Sequence, residues 1–323
     1  MPSTSLNLET GTATSCFEES ASGVVTDDEV NAFKDVLEPI LVLSVPAMTP
    51  EGQQKPRQKS EICRTGRALT SRLMQGIPAD TTIGIAVPGS ISPHTGLMQN
   101  ANSTWLNGRP FDRDLEAALA RPVRLANDAN CFALSEAIDG AAENARTVFG
   151  AILGTGCGGC LVVDGRPLNG PRGIAGEWGH NPLPWMTRDE HPGPSCWCGR
   201  KGCLETWVSG PGMAADHARV TRETHTPIEI AARAKAGNVA AMATLSRHAD
   251  RLARGLAHLV NIVDPDVLVL GGGLSQLSHL YELLPQLMAP YIFADHRSVA
   301  IKPPKWGDAS GSRGAARLWV DLG

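Results

Sequence analysis

Gly176-Glu-Trp-Gly-His180 and, after a proline-rich loop, Cys196-Trp-Cys198-Gly-Arg-Lys-Gly202-Cys203-Leu-Glu205 form the stretch on which the reading of this chain turns. Three cysteines fall within eight residues in a C-x-C-x4-C spacing, with one histidine upstream. Thiolate and imidazole suit tetrahedral zinc, and four such ligands make a closed structural site. Gly199 and Gly202 let the backbone turn tightly around the sulfurs. Disulfides are the first rival. Cys196 and Cys198 are too close along the chain to pair without strain, and three cysteines cannot make two bridges. Ordinary reduced cysteines in a loop are the second rival.

Glu177, His180 and Glu205 in the same stretch are polar groups able to fan around a polyol. GEWGHNPLPW followed by CWCGRKGCLETWVSG resembles the ROK family of sugar kinases, and within it the bacterial fructokinases (manno(fructo)kinases). The resemblance runs over about residues 82 to 319 and implies a zinc site of His180, Cys196, Cys198 and Cys203 holding the loop that grips the sugar. It also implies the α/β, two-domain actin-like ATPase (ribonuclease H-like) fold with a zinc-binding loop at 180–203.

Working outward, a chain of 323 residues has room for two domains. The expected division is an atypical N-terminal segment (1–81), a small α/β domain (82–127 with 308–323) and a large one (128–307). A hydrophobic content of 42% and a formal charge of −4 give no electrostatic reason to expect nucleic acid or membrane as partner. With no long apolar run and no secretory start, the expectation is a cytoplasmic protein whose eight cysteines are reduced or metal-bound. Seven of the fifteen aromatic residues are tryptophan, and Trp105, Trp178, Trp185, Trp197 and Trp207 fall in or near the proposed sugar region. They suit sugar stacking and core packing equally.

Ile83–Val87 reads as a strand, with the tight turn Pro88-Gly89 after it and the Asn-rich loop Asn100-Ala-Asn102-Ser-Thr-Trp105 further on. Val123-Arg-Leu-Ala-Asn127-Asp128 reads as a short strand ending where an apolar helix begins. A carboxylate there can meet a ligand outside the sheet, or merely cap the helix. Thr147–Leu153, a glycine run from Gly154 to Gly159 and Cys160–Asp164 read as strand, phosphate cradle and strand, although hairpin turns also use glycine. Val239 to Val263 steps by threes and fours as a long amphipathic helix that Asp264-Pro265 ends, and Gly271-Gly-Gly273 after a buried strand is expected to open a helix.

The resemblance gives these features roles. Asp128 falls on the catalytic base; Asn102, Asn127, Glu177, His180 and Glu205 on sugar ligands; Gly154, Thr155, Gly156 and Gly158 on a phosphate loop; Gly271, Gly272 and Gly273 beside adenosine. It implies ATP, Mg2+ and Zn2+ as cofactors, a homodimer, and ATP-dependent phosphorylation of fructose at its 6-hydroxyl, with mannose as a further substrate. Cys160 stands where related kinases carry another glycine and is expected to narrow the loop.

The first eighty residues depart from the pattern. Residues 1–25 show no period and read as disordered or loosely held. Thr26–Glu29 reads as a capping box before a short helix, Ile40–Val45 as a buried strand, and 61–75 as a second helix. The family's Asp-x-Gly-Gly-Thr loop, whose backbone N–H groups approach phosphate, is missing. Leu8-Glu-Thr-Gly11-Thr12 lacks its Asp and first Gly, with no apolar strand before it. Residues 1 to about 76 therefore read as a replaced or frame-shifted counterpart. This leaves a second function open, a catalytically impaired sugar-binding ROK protein or sensor. A ROK-type repressor is disfavoured, because residues 1–80 hold seven basic against eleven acidic side chains, which is unsuited to a DNA-binding headpiece.

Overall fold

The computed structural model describes residues 81–102 and 104–319, together with the backbone of Thr4–Asn7, Ala13–Ser15 and Ile40–Ser44. The helices expected near 30–37 and 61–75 lie outside the described residues. The chain divides into two units, Met1–Ser135 with Asn169–Ala175 and Asp308–Gly323, and Glu136–Leu168 with Gly176–Gly307.

The first unit is built on β1 (Thr4–Asn7), β2 (Ala13–Ser15), β3 (Ile40–Ser44) and β4 (Thr82–Val87), followed by a small hairpin of β5 (Ser90–Ile91) and β6 (Met98–Gln99). Helix α1 (Phe111–Leu119), β7 (Val123–Asn127) and α2 (Asp128–Ile138) come next, α2 crossing into the second unit. The main sheet has the order β2-β1-β3-β4-β7, with β1 and β2 antiparallel and the other pairs parallel. β4 is buried along nearly its whole length, as a parallel strand covered on both faces must be. Ile83, Ile85 and Val87 alternate onto one face, where they form a core with Phe111, Leu119 and Val123.

β3 matches the strand expected at Ile40–Val45. β1 and β2 correct the reading of residues 1–25 as loose, and the strand before Leu8, Thr4-Ser-Leu-Asn7, is polar rather than apolar. Thr4-Ser-Leu-Asn7 and Ala13-Thr-Ser15 are too short and too polar to show an alternating apolar pattern of their own. The ladder to the apolar β3 supplies the pairing that local sequence does not announce.

The second unit opens with the hairpin β8 (Thr147–Leu153) and β9 (Cys157–Val163), then β10 (Arg166–Pro167). After the cysteine loop come α3 (Glu205–Val208), α4 (Gly210–Thr221), α5 (Pro227–Lys235) and α6 (Val239–Val263). β11 (Val267–Gly271), α7 (His279–Met288) and β12 (Ala300–Lys302) complete it. The sheet order is β10-β9-β8-β11-β12, with β11 parallel to both β8 and β12. α6 runs as its periodicity predicts. The Asn238 side chain accepts from the Ala241 N–H at its start, and Asp264, left-handed at φ 44°, ends it before Pro265. Leu252, Leu256 and Val260 of α6 lie in one core with Leu268 and Leu270 of β11 and Trp178, Leu204 and Trp207.

The run Gly271–Gly273 opens a short 3-10 helix, Gly273–Gln276, rather than an α-helix, and α7 starts only at His279. A last helix, α8 (Ser310–Ala316), returns to the first unit, where Ala315 and Ala316 pack with Ala86 and Cys131. Gly314 passes so close to the Cys131 carbonyl that a Cβ would collide with it.

Candidate active site

In the first unit, the junction of β7 and α2 places Asn127 and Asp128 at the carboxyl end of a parallel strand, where ligands of open α/β sheets are met. Both amide atoms of Asn127 work within the fold. Its Nδ2 donates to the Gly89 carbonyl at 3.1 Å, holding the Pro88-Gly89 turn, and its Oδ1 accepts from the Ala129 N–H at 2.9 Å. Asn127 therefore caps the first turn of α2, which leaves the exposed Asp128 carboxylate facing solvent with one oxygen also reached by Ala129 N–H. The mass of protein around Asp128 pushes its pKa up, against the hydrogen bonds from Ala129 and Asn127. The side chain is itself exposed, so water reaches and solvates its ionised form. Asn102 is half-buried just before the 3-10 turn Thr104–Leu106.

In the second unit, the glycine run divides. Gly154, Thr155 and Gly156 form the turn, whereas Cys157, Gly158 and Gly159 already belong to β9, opposite Leu153, Ile152 and Ala151. The cradle is thus three residues long. Cys160 is buried within β9 opposite Gly150, away from the turn it was expected to narrow. At the neighbouring parallel strand, Gly272 (φ 77°) lies against the Leu153 carbonyl, where a Cβ would come within 2.6 Å. The two glycine turns assigned to nucleotide therefore meet at the carboxyl ends of β8 and β11. Gly273 has open space around it.

The Gly176–His180 segment is laid directly on β9. Gly176 (φ 95°) abuts the Gly159 carbonyl and Gly179 the Cys157 carbonyl, positions that no side chain could occupy. Between them the Trp178 indole donates to the Gly158 carbonyl at 2.8 Å. Trp178 and Trp207 are buried in the core, the packing role, while Trp197 is 62% exposed and edge-on to the His180 ring. Glu205 joins the pieces. Its Oε2 accepts from the Cys157 N–H at 3.0 Å and its Oε1 from the Trp197 indole at 2.8 Å. The buried Cys157 thiol is pushed well up, first by burial and then by the Glu205 and Glu177 carboxylates.

The ligand atoms of His180, Cys196, Cys198 and Cys203 lie within 4.8 Å of one another. Cys198 Sγ and Cys203 Sγ are 3.6 Å apart, as are Cys196 Sγ and His180 Nδ1. A tetrahedral zinc with Zn–S of about 2.3 Å needs sulfur–sulfur edges of about 3.8 Å, so the donors stand at the required spacing. Among the described residues no cysteine is bridged. Burial pushes the Cys203 thiol up to about 12 and raises Cys196, whereas at Cys198 hydrogen bonds from the Arg200 backbone and the neighbouring thiols outweigh burial and lower it. Three converging thiols thus ionise together only beside a cation.

Sequence reasoning missed the ion pairs behind this loop. Glu190 accepts from Arg251 Nε at 2.8 Å and from both terminal nitrogens of Arg254 at 2.8 Å. Arg254 also donates to the Pro184 and Trp185 carbonyls, and Arg251 stacks over Trp207. The available signal was two arginines inside the apolar stripe of α6, since buried cations need buried anions.

A mixed five-stranded sheet in each unit, with glycine turns and a carboxylate at strand ends, defines an actin-like ATPase fold of the α/β class. The family model described as ROK family matches residues 51–321. The chain belongs to the ROK family. It is 39% identical over 246 residues to the N-acetyl-D-glucosamine kinase of Pasteurella multocida, covering 74% of this chain and 80% of that one. With the N-acetyl-D-glucosamine kinase of Salmonella paratyphi A it shares 40% over 241 residues, 73% and 80% of the two chains. Among solved structures, the ROK hexokinase from Thermus thermophilus superposes with a TM-score of 0.69 at 30% identity, covering 81% of this chain and 86% of that one. A ROK family glucokinase from Streptomyces griseus, in complex with glucose and AMPPNP, superposes at 0.66 with 24% identity, covering 81% and 88%. None of these relatives is a fructokinase, and the fructose expectation draws no support from them. Among the described residues no helix is long and apolar enough to cross a membrane.

Proposed function

We propose that this chain phosphorylates N-acetyl-D-glucosamine with ATP. The coarser statement, an ATP-dependent sugar kinase of the ROK family, follows from the family match, and residues 51–321 take in every site residue named above. The amino sugar rests on one observation, the 39% identity to a kinase of that sugar across three-quarters of the chain.

In this reading Asp128 accepts the proton of the attacking hydroxyl. Asn102, Glu177 and His180 orient the sugar, and Asn127 holds the Gly89 turn and the start of α2 in place. Backbone N–H groups of Thr155 and Gly156, in the turn that the Gly154 N–H closes onto the Gly156 carbonyl, and the open approach at Gly273 receive the nucleotide. ATP with Mg2+ supplies the phosphoryl group and neutralises its charge when bound. We assign the His180, Cys196, Cys198 and Cys203 site to zinc. His180 offers Nδ1 to the metal side, which leaves Nε2 to donate to a sugar hydroxyl.

The test is ATP-dependent phosphorylation of N-acetyl-D-glucosamine, glucose, mannose and fructose by the purified chain with magnesium. N-acetyl-D-glucosamine is expected to give the highest kcat/KM, and fructose leading would overturn the assignment. One observation favours a second reading, sugar binding without turnover. Leu8-Glu-Thr-Gly-Thr12, between β1 and β2 in the chain, lacks the Asp and the first glycine of the phosphate loop. Saturable sugar binding with no turnover on any of the four sugars would select it.

A further inference from the structure

Away from the residues assigned to sugar and nucleotide, α4 ends in an arrangement that neither the fold nor the proposed kinase reaction uses. Arg222, left-handed at φ 65°, stops the helix after Thr221, and the Thr221 hydroxyl receives the Glu223 N–H at 3.1 Å. The chain folds back until Thr226 starts α5 with a reciprocal capping box to Glu229. Glu223 and His225 are thereby held between two fixed helix ends. Their side chains meet each other at 3.0 Å, and the His225 ring lies 5.4 Å from the ring of His217 on α4.

His217 is 1% exposed, and its Nε2 has no hydrogen-bond partner. Its tautomer follows from the neighbours. The Thr244 hydroxyl donates to the Ala240 carbonyl at 3.0 Å, so its oxygen accepts, taking Arg247 Nη2 at 3.1 Å and His217 Nδ1–H at 2.8 Å. Nε2 therefore carries a bare lone pair in a buried position, a costly state unless something fills it. An imidazole oriented through Nδ1 with a free Nε2 is the form in which histidine binds metals.

We propose that His217, Glu223 and His225 form a second metal site for a zinc-like dication, separate from the cysteine loop. Their ligand atoms lie within 4.8 Å of one another. A tetrahedral zinc with Zn–N and Zn–O near 2.1 Å needs edges of about 3.4 Å, so closing the site takes at most about 1.4 Å of side-chain movement. Two imidazoles and one carboxylate favour zinc over magnesium or calcium, which take oxygen ligands. The competitor is Arg233, 3.5 Å from Glu223 and exposed, whereas Arg219 and Arg247 are committed to Asp216. A bound ion would clamp the end of α4 to the start of α5 and, through Thr244, to α6. The fourth position stays with water.

The test measures zinc per chain, by elemental analysis, on untagged full-length protein equilibrated with Zn2+ and freed of loose metal. Two ions per chain are expected, falling to one in His225→Ala and in Glu223→Gln, with the cysteine site retained. Cobalt in place of zinc distinguishes the sites, because only the cysteine site gives a thiolate charge-transfer band. His225 and Glu223 are partly or largely exposed, so both variants are expected to fold and, without metal, to melt with the wild type. Added zinc should then raise the melting temperature of the wild type beyond that of either variant. One ion in the wild type, or two in both variants, overturns the proposal.

Discussion

The backbone N–H of Cys157 donates to Glu205 Oε2 across 3.0 Å, tying the start of β9 to the residue two places after the last cysteine of the loop. With Trp197 on its other oxygen, Glu205 makes the glycine turn and the cysteine loop one mechanical piece. Hydrogen bonds to a charged group contribute about 1.5–3 kcal/mol each. Glu205→Ala is therefore expected to lower kcat/KM by about ten- to a hundredfold and to raise KM for both ATP and sugar, because the turn loses its anchor. Glu205→Gln should fall between, since its amide oxygen still serves one donor. Steady-state kinetics with each substrate varied would check this. A change confined to the sugar KM would reduce Glu205 to a sugar ligand alone.

Asp128 stands at the end of β7 with Asn127 bearing the capping role, so the carboxylate has little structural work to lose. Asp128→Asn should fold with an unchanged melting temperature, bind sugar within about threefold of the wild type, and lose about a hundred- to ten-thousandfold in kcat, the usual range for a general base. Retained turnover would remove Asp128 from the chemistry. A lost fold would assign it to the helix start.

Metal removal follows from the crowding of three sulfurs and one imidazole within 4.8 Å. Cys203 is buried, and the Pro182–Cys203 bridge joins the two ends of the loop. Chelation, or Cys203→Ser, is expected to lower zinc content, drop the melting temperature by several degrees and abolish sugar binding. Sugar titration followed by tryptophan emission would read the last effect, because Trp197 sits edge-on to His180. Unchanged sugar affinity in the zinc-free protein would detach the loop from the site.

The features that declared themselves in the sequence are those whose signal is local. α6 repeats its apolar period over 25 residues until Asp264-Pro265 stops it, and Asn127-Asp128 marks a strand end because an alternating run gives way to a helical one. The cysteine cluster is dense enough to be read by spacing alone. β1 and β2 were hidden because their ladder partners, not their Ser- and Thr-rich residues, hold them. The ion pair of Glu190 with Arg254 joins positions 64 residues apart and leaves no period to find. Gly158 looked like loop because glycine signals a turn and a close backbone approach equally. At Gly158 the indole of Trp178, twenty residues on, decides for the approach. The lone pair on His217 emerges only once Thr244 fixes the tautomer.

Acid should act on this protein through Glu190. Burial pushes its pKa up, but hydrogen bonds from Arg254, Arg251 and the Thr187 N–H outweigh that and hold it at about 2, below its usual 4.5. A depressed carboxyl contributes stability that is fully present above its unfolded pKa and is lost as pH falls from about 4.5 toward 2. Glu190→Gln removes the charge at every pH, so the wild type should melt well above the variant at pH 7, and the gap should narrow steadily as pH falls from 4.5 to 3, on its way to closing near the folded pKa of about 2. Comparing the two proteins cancels the loss of metal from the cysteine loop, which acid causes in both. Asp216, also depressed by its arginines despite burial, titrates in both as well. Glu190→Ala goes further, leaving Arg251 and Arg254 buried against Asp216 and Asp250 alone. Breaking a buried pair from one side costs about 3–5 kcal/mol. The cysteine loop should loosen with it, since Arg254 also holds the Pro184 and Trp185 carbonyls at the start of that loop. Melting curves of the three proteins from pH 7 to pH 3 are the measurement. A gap between wild type and Glu190→Gln that stays constant over that range would mean the carboxylate is held by packing rather than by its charge.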